Sequence, residues 1–366
     1  MDIAGEITGV KYKIYVNDDL KQVDFENFDI NDVPATCLLT NKKTTLAISK
    51  WVSPKRTRSY PFERVYNSLT TSKKVTVIPI IKDEGARGDR DFIQWDTVLL
   101  MSLLDVFVIF AYYDKAEINP RNKLKITNQQ FNNDYVVGKI KEIEAYYSSA
   151  LHWNLNELNV NFHNIINKAK TAYKQIEKNT KVPLHNFVGI DNFKKRIGQD
   201  VELFMEFSRG KAKKAQAREF VTQQPKESLS TLSKAKITIT NYLGGKYFFT
   251  VDEIEISKDI IYLTEGKHSK RAILPSKGDI KDGLLKMILY SNLENVSANK
   301  RRIKSVAVLS LTSSKLKGSI DSMCNKADIS SFFIKNKFTN SQIRFVNEIF
   351  EEANKNKFIL SIAYSK

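Results

Sequence analysis

Three charged residues on two adjacent predicted strands have the types and spacing of a metal-binding site: Asp252, Glu265 and Lys267. If Lys258-Asp259 forms the two-residue tip of a β-hairpin, Asp252 lies directly opposite Glu265 on the neighbouring strand. Side chains alternate between the two faces of a strand, so Lys267 shares the face of the two acids. Two opposed carboxylates repel each other unless a cation lies between them, and this arrangement therefore predicts a divalent metal ion.

The hairpin that carries these charges is predicted to be apolar at its closed end. On the face of Glu265, the closed end carries Ile254, Ile256, Ile261 and Leu263. The surrounding segments follow the order α-β-β-β-α-β, which predicts a mixed α/β fold with an antiparallel meander before a crossover helix. These segments are a helix at Asp191–Phe207, strands at Ala235–Leu243, Lys246–Ser257 and Asp259–His268, a helix at Asp279–Asn292, a strand at Ile303–Thr312, a helix at Ser341–Asn354 and a strand at Phe358–Ala363.

The same residues resemble the PD-(D/E)xK motif of restriction-endonuclease-like nucleases, whose core has this α-β-β-β-α-β order. Asp252 is followed by Glu265-Gly266-Lys267 on the next strand, and Val251 stands where the motif has proline. The resemblance covers residues 190–312 and implies that Asp252 and Glu265 bind Mg²⁺. It also implies that Lys267 orients the attacking water or helps to deprotonate it. Carboxylate oxygens suit Mg²⁺, which neutralises charge that develops on a scissile phosphate.

Further residues are expected to complete this site. Lys286 and Tyr290 are one turn apart on the helix after the motif, and they loosely resemble the Gln-x-x-x-Tyr pair of related exonucleases. The family often takes a fourth acid from the helix before the strands, where Glu202 and Glu206 are one turn apart. A solvated helix face accounts for these two acids equally well. His268 alternates to the opposite face, so we expect it to contact a phosphate or to have a structural role.

A simpler interpretation is that Asp252, Glu265 and Lys267 form a solvated charge cluster on an edge hairpin. A bare (D/E)xK pattern is not specific, because Asp279-Ile280-Lys281 matches it too. The hairpin register, the apolar flanks and the following helix are the features that favour the nuclease interpretation.

The rest of the chain is predicted to form two further parts. Residues 1–118 are predicted to form an α/β domain with a possible role in DNA recognition. Residues 119–189 are predicted to form a linker followed by helices, and residues 190–366 to form the nuclease-like domain. Residues 98–113 predict a buried helix that turns at Asp105 into a buried strand, too short to cross a membrane. The N-terminal strand candidates are Tyr12–Val16, Ala35–Leu39, Thr45–Ile48, Val75–Ile81 and Val106–Tyr113.

A second group of acids lies in the first of these parts. A second nuclease core is disfavoured there, because the following strand ends Tyr112-Tyr113-Asp114-Lys115 and has no acid two residues before the lysine. A charged loop that recognises DNA or contacts a partner, and a merely solvated loop, both remain open. The group contains Asp83, Glu84, Asp89, Asp91 and Asp96, with Arg87 and Arg90 between them.

The charge of the chain favours a polyanionic partner. Lys and Arg number 58 against 41 Asp and Glu, a net charge of +17, which predicts nucleic acid first and a membrane surface second. Three basic segments together favour a DNA surface, although a single run is commonly only solvated. The candidate nucleic-acid contacts are Lys55, Arg56, Arg58, Arg209, Lys211, Lys213, Lys214, His268, Lys270, Arg301 and Arg302.

Other chemistries find little support in the sequence. There is no Gly-rich phosphate loop, and the four histidines and two cysteines lack zinc-ligand spacing. Two cysteines cannot form a disulfide framework, so we expect a reducing, cytoplasmic location.

The resemblance and the basic charge together predict an Mg²⁺-dependent, sequence-specific endonuclease of double-stranded DNA. This is the activity of a type II restriction enzyme in a restriction–modification system, acting as a homodimer and not at a membrane. The alternatives are a structure-specific or repair nuclease with the same core, and a non-catalytic DNA-binding defence protein.

Overall fold

The computed structural model describes residues 2–16, 18–41, 43–54, 59–197, 204, 235–241 and 246–366. The chain forms two compact units, and their boundaries differ from those of the three expected parts. The split unit combines Met1–Asp18 with Gln224–Lys366, and the inserted unit spans Asp19–Gln223. The divisions expected near residues 118 and 189 therefore fall inside the inserted unit.

The inserted unit contains a mixed five-stranded sheet, in agreement with the expected α/β class. After β1 (Asp2–Ile7), which belongs to the split unit, its strands are β2 (Gln22–Asp24), β3 (Thr36–Thr40), β4 (Thr45–Lys50), β5 (Lys74–Pro79), β6 (Ile81–Asp83), β7 (Arg90–Phe92), β8 (Val106–Ala111), β9 (Tyr113–Ile118) and β10 (Ile126–Phe131). The sheet order is β2-β3-β4-β5-β8, in which only β3 and β4 are antiparallel. Two further antiparallel pairs are β6 with β7 and β9 with β10.

The predicted helix-to-strand junction at Asp105 is confirmed. The helices of the inserted unit are α1 (Ser59–Ser68), α2 (Trp95–Leu103), α3 (Asn133–Glu144), α4 (Ala150–Asn156), α5 (Phe162–Thr180), which follows a π-helical turn at Glu157–Asn161, and α6 (Val188–Ile197). Asp105 has a φ of +54°, a left-handed conformation that Asp tolerates as a single residue. All six residues of β8 are buried, which accounts for the unbroken apolar run in the sequence.

The linker expected after residue 118 is interrupted by a strand, because β10 begins at Ile126. The ring of Phe131 stacks on that of Tyr113 of β9, with centroids 4.4 Å apart. Only Ile126 and Phe131 at the two ends of β10 are buried. Polar residues occupy the four positions between them, so the sequence lacks the apolar alternation by which a strand is recognised.

The split unit contains two five-stranded sheets. Its elements after β1 are β11 (Ala235–Asn241), β12 (Lys246–Val251), β13 (Glu253–Ser257), β14 (Ile260–Ser269), α7 (Lys277–Ser291), β15 (Glu294–Ala298), β16 (Arg301–Arg302), β17 (Lys304–Ser313), β18 (Ser319–Asp321), α8 (Lys326–Lys335), α9 (Asn340–Asn356) and β19 (Ile359–Tyr364). The strand orders are β12-β11-β1-β15-β16 and β13-β14-β17-β19-β18.

The meander expected in one sheet is divided between these two sheets. The predicted strand Lys246–Ser257 is interrupted at Asp252, so that β12 pairs with β11 whereas β13 pairs with β14. β14 and β17 are parallel, with the predicted helix α7 between them in the chain. Two strands that were not predicted, β15 and β16, follow α7 and pair in the other sheet before the chain reaches β17. The bend at Asp252 therefore marks the point where the chain passes from one sheet to the other.

The first residues of the chain belong to the split unit because they pair with its C-terminal strands. β1 is parallel to β11 and antiparallel to β15. The expected strand Tyr12–Val16 has no regular structure and is bonded to α9 instead. Glu352, which is fully buried, accepts hydrogen bonds from the Tyr12 hydroxyl (2.8 Å) and from the backbone N–H groups of Tyr15 (2.9 Å) and Val16 (3.1 Å).

Within the described residues, no helix combines the length and the apolar character needed to span a bilayer.

Glu352→Ala is expected to lower the free energy of unfolding of the split unit by about 3 kcal/mol, because it leaves a hydroxyl and two backbone N–H groups without their acceptor. Urea denaturation followed by circular dichroism measures the change. The control is Glu351→Ala, at the exposed neighbouring position on the same helix, which should cost less than about 0.5 kcal/mol. Equal losses in the two variants would contradict the assignment.

Candidate active site

The β13–β14 hairpin has the register that the sequence predicts. Ser257 pairs with Ile260 and Glu253 with Thr264, and Lys258 at the tip takes a φ of +57°. The next residue of each strand, at the open end, is Asp252 or Glu265. The register therefore places the candidate residues where the hairpin opens.

Asp252 lies at the bend between β12 and β13 and contacts β14 through its side chain. Its Oδ2 accepts a hydrogen bond from the backbone N–H of Gly266 at 3.1 Å. Gly266 separates Glu265 from Lys267 on β14, so this bond holds the Asp252 carboxylate beside both of them.

The carboxylate of Glu265 is buried, with 1% of the residue exposed, and it binds two ammonium groups. Its Oε1 lies 2.9 Å from Nζ of Lys267, and its Oε2 lies 2.6 Å from Nζ of Lys286 on α7. A buried carboxylate is costly unless it is paired, and here each oxygen has a cationic partner.

Lys267 has a second carboxylate partner that the sequence analysis did not identify. Its Nζ lies 2.6 Å from Oδ2 of Asp282, a buried residue on α7. The five side chains of the cluster (Asp252, Glu265, Lys267, Asp282 and Lys286) carry three carboxylates and two ammonium groups. With all five ionised, the cluster has one net negative charge.

A glycine in α7 allows the helix to lie close to the sheet. A Cβ atom at Gly283 would lie 2.7 Å from Cδ1 of Leu309 on β17 and 3.4 Å from Cε of Lys267. Glycine inside a helix costs about 0.5–1 kcal/mol relative to alanine, so its presence here needs a packing reason. The close approach brings Asp282 and Lys286 within bonding distance of β14.

Burial and charge act in opposite directions on the groups of this cluster. Burial raises the pKa of Glu265, the two lysines lower it, and Asp252 raises it again; the pKa ends above its ordinary value. Burial lowers the pKa of Lys267, but attraction to Glu265 and Asp282 outweighs it, and the pKa is raised. Lys286 follows the same pattern through Glu265 and Asp252. Both ammonium groups are therefore charged at neutral pH.

The donor chemistry of Asp252 and Glu265 fits Mg²⁺. Among the residues that the structure describes, no group of three or more His, Cys, Asp or Glu side chains is arranged to hold a metal ion. Mg²⁺ commonly uses one or two carboxylates and keeps several waters, so two carboxylates satisfy its needs. Each carboxylate oxygen of Glu265 has a second lone pair beyond its bond to lysine. The net negative charge of the cluster also favours a cation.

The structure brings together Asp252, Glu265, Lys267 and the suspected Lys286, whereas Asp282 was missed. Tyr290, one turn after Lys286, is buried in the same helix. The signal for Asp282 was its position four residues before Lys286, which places the two on one face of α7. That signal only has meaning once the facing strand is known to carry Lys267.

The other described candidates lie at two different ends of β14. Lys270 is exposed just after the open end, and Nδ1 of His268 lies 2.9 Å from Oγ1 of Thr312 on β17, a contact that supports the structural role. Arg301 binds Asp259 at the hairpin tip (3.1 Å, both exposed), and Arg302 lies beside it on β16. The tip is about 26 Å of strand away from Lys267. The two arginines are therefore not part of this cluster.

The remaining sequence-based candidates fall outside the described residues. They are Lys55, Arg56, Arg58, Glu202, Glu206, Arg209, Lys211, Lys213 and Lys214.

The second group of acids is largely buried in the inserted unit and is not a solvated loop. Asp83, Asp91 and Asp96 are each at most 3% exposed. Asp83 Oδ1 lies 2.8 Å from Nδ1 of His185, and Asp91 accepts a hydrogen bond from Ser53 at 2.9 Å. Asp83 and Asp91 tie the β6–β7 pair to His185 and Ser53, and Asp96 is buried in α2, so these three carboxylates do not form a surface.

In comparisons with known proteins, no family model matches this chain, and no curated protein or solved structure shows significant similarity to it. The resemblance to the PD-(D/E)xK nucleases therefore depends on the local arrangement of Asp252, Glu265 and Lys267.

Gly283→Ala is expected to destabilise the split unit by about 1 kcal/mol or more, because the added methyl group overlaps with Leu309. Gly138→Ala in α3 is the matched control: nothing lies within 4 Å of its Cβ position, so alanine should stabilise by about 0.5–1 kcal/mol. Urea denaturation measures both changes. Stabilisation of both variants by similar amounts would show that α7 does not need a glycine at this position.

Proposed function

We propose that this chain is an Mg²⁺-dependent endonuclease of the PD-(D/E)xK type that cuts double-stranded DNA at specific sequences. The observation that supports it most is the convergence of Asp252, Glu265 and Lys267 at the open end of the β13–β14 hairpin. The three residues come from a bend and a strand that a crossover helix covers, and the helix supplies partners for two of them. Hydrolysis of a phosphodiester needs this combination of carboxylates and a cation at one place.

The order of the elements also supports the proposal. β13 and β14 are antiparallel, α7 follows, and β17 returns parallel to β14. Within this one sheet, the order is similar to the strand–strand–helix–strand order of the restriction-endonuclease-like core, although β15 and β16 of the other sheet intervene between α7 and β17. The hydrogen bonding of β12 in the other sheet is a difference from a single continuous meander.

Each residue of the cluster has a role in this proposal. Asp252 and Glu265 would hold Mg²⁺, which when bound supplies positive charge at the scissile phosphate and lowers the pKa of water. Lys267 lies between two carboxylates and is charged, so it acts as a hydrogen-bond donor to water or phosphate and not as a base. Asp282 and Lys286 are positioning residues, since they contact Lys267 and Glu265.

The overall reaction would be hydrolysis of the DNA backbone. A bond forms between the water oxygen and phosphorus, the bond to the 3′ oxygen breaks, and the products carry a 5′-phosphate and a 3′-hydroxyl. The net charge of +17 supports a polyanionic substrate. Cutting both strands needs two sites or successive nicks, so the proposal includes a homodimer of the type II restriction enzyme class, with the inserted unit contributing to DNA recognition.

A non-catalytic DNA-binding protein is the second candidate, and one observation favours it. Both oxygens of Glu265 are bonded to lysines, and Lys267 is bonded to two carboxylates, as in a buried ion-pair network that only supports the fold.

The first experiment is incubation of the purified full chain with unmethylated DNA of known sequence, in parallel with Mg²⁺ and with EDTA. Discrete Mg²⁺-dependent fragments are expected, because the carboxylates need a cation and recognition is sequence-specific. A smear of fragments would show that cutting is not sequence-specific and would favour a nonspecific or repair nuclease. Intact DNA in both reactions would favour the non-catalytic candidate.

Glu265→Gln and Lys267→Met are each expected to lower the cleavage rate by about 10³-fold or more, since each removes a charge next to the reacting phosphate. DNA affinity measured in EDTA should stay within about threefold of the wild type, because most of the binding energy comes from phosphate contacts elsewhere. The control is Glu255→Gln, at an exposed position of the same hairpin, which should cut normally. Retained cleavage in either active-site variant would refute the assignment.

A further inference from the structure

The inserted unit has an open groove along α5 that the sequence analysis did not single out. Its volume is about 750 Å³, and it runs between α5 and the residues around the start of β9 and α3. Lysines and amide side chains make up most of its α5 wall: Asn167, Lys168, Thr171, Lys174, Gln175 and Lys178. Tyr112, Asp114 and Asn132 lie on the opposite side.

The two faces of α5 differ sharply in character. The apolar side chains Ile165, Ile166, Ala169, Tyr173 and Ile176 are buried in the inserted unit. Helical periodicity places the lysines and amides of the groove on the other side. The apolar face of α5 is thus fully used by the core, and the groove face is left for another partner.

The positive charge of this face is only partly balanced within the described part of the chain, where the hydrogen bond from Lys170 and, after it, the charge of Lys174 lower the pKa of Asp191. Lys168, Lys174 and Lys178 form no ion pair there, whereas the neighbouring Lys170 is bonded to Asp191 of α6. The one acid in the groove, Asp114, accepts a hydrogen bond from Asn132 at 2.6 Å. The groove is therefore a region of positive charge.

α6 extends this positive region. Nζ of Lys194 donates a hydrogen bond to Oδ1 of Asn167 at 2.9 Å, which links the end of α6 to the groove wall. Lys195 and Arg196 follow it at exposed positions.

The spacing of the lysines suits a nucleic acid strand. Lys168 and Lys178 are ten residues apart on one helix, which is about 15 Å along its axis. Successive phosphates of one DNA strand advance about 3.4 Å along the duplex axis, so the lysines span four or five phosphates. Asn167 and Gln175 line the same groove. Asn167 accepts a hydrogen bond from Lys194 through Oδ1, and Gln175 donates one to Asn179 through Nε2. The other polar atom of each amide, Nδ2 of Asn167 and Oε1 of Gln175, can pair with a base edge.

An anionic membrane fits this face less well than DNA. Helices that bind at a membrane surface insert an apolar face between the lipids. The apolar face of α5 is buried in the core and is not available for insertion. The apolar surface of the groove comes from Tyr112, Ala172 and the aliphatic stems of the lysines, whose charged ends are beside amide side chains. A polyanion that offers hydrogen-bonding groups as well as charge matches the amides better.

We infer that the groove face of α5 is a double-stranded DNA-binding surface of the inserted unit, in which lysines contact phosphates and Asn167 and Gln175 contact base edges. This inference rests on the proposed function and specifies where the inserted unit contacts its substrate. The surface is distinct from the basic segments that the sequence analysis proposed.

The test compares charge reversal in the groove with an equal reversal elsewhere in the same unit. The groove variant is Lys174→Glu/Lys178→Glu, and the control is Arg121→Glu/Lys123→Glu, at exposed loop positions outside the groove. Affinity of each full chain for a 30-bp duplex is measured by fluorescence anisotropy in EDTA, over a series of salt concentrations; the duplex contains the cleavage site if the wild type cuts DNA and is of arbitrary sequence if it does not. Circular dichroism and thermal melting confirm that both variants are folded, and Lys174→Gln/Lys178→Gln repeats the test without added negative charge.

The groove variant is expected to bind at least tenfold more weakly. The slope of the logarithm of its binding constant against the logarithm of the salt concentration should also become about two units less steep, because each lysine that contacts a phosphate contributes about one unit. The control should lose less than threefold. Asn167→Ala/Gln175→Ala should change the preference between duplex sequences and leave the salt slope unaltered.

The outcomes separate this inference from the proposed function. If the wild type cuts DNA and the groove variant binds like the control, the groove assignment is overturned and the nuclease proposal stands. If the wild type binds duplex through the groove and never cuts, the nuclease proposal falls and the groove stands. If the groove variant loses binding to anionic phosphatidylserine vesicles but not to duplex, a membrane replaces DNA as the partner and the inference is overturned.

Discussion

A carboxylate with 1% of its residue exposed must be matched by positive charge, and in the split unit Glu265 is matched by lysines from two different elements. Lys267 lies two residues further along β14, whereas Lys286 comes from α7. The second contact requires the helix to pack close to the strands, and a glycine at position 283 permits this approach. The packing of α7 against β14 and β17 and the ion pairs of Glu265 therefore depend on each other.

The same arrangement shows how an ion-pair network that supports the fold can also be the site that we propose. Three carboxylates and two ammonium groups leave one negative charge, so the cluster is stable and still attracts a cation. Two of the acids, Asp252 and Glu265, have the hard oxygen atoms that would bind Mg²⁺ in the function that we propose. The chemistry that we propose thus uses the groups that hold α7 against the sheet. The lysine-rich face of α5 belongs to the other unit, where Lys168 and Lys174 lie over the rings of Tyr135 and Phe187.

Short-range features of the fold were predictable because neighbouring residues determine them. The hairpin register follows from a two-residue tip and apolar alternation, and the observed pairs of Ser257 with Ile260 and Ile254 with Leu263 agree with it. The junction at Asp105 was visible as one charged residue in an apolar run. By contrast, β10 was missed because its four central residues are polar, and the pairing of β1 with β11 was missed because an entire unit lies between them in the chain.

The sequence by itself determined the chemistry that this chain has available: an acid opposite an acid, a lysine two residues later, and a helix with a lysine to follow. Only the tertiary structure decided which groups act together, because α7 and β14 must meet before Asp282 can bind Lys267 and Lys286 can bind Glu265. It also decided that Asp83, Asp91 and Asp96 are buried, since charge patterning along a chain does not report burial. Contacts between residues far apart in sequence depend on how whole helices and strands pack together. The residue type at a single position does not determine that packing.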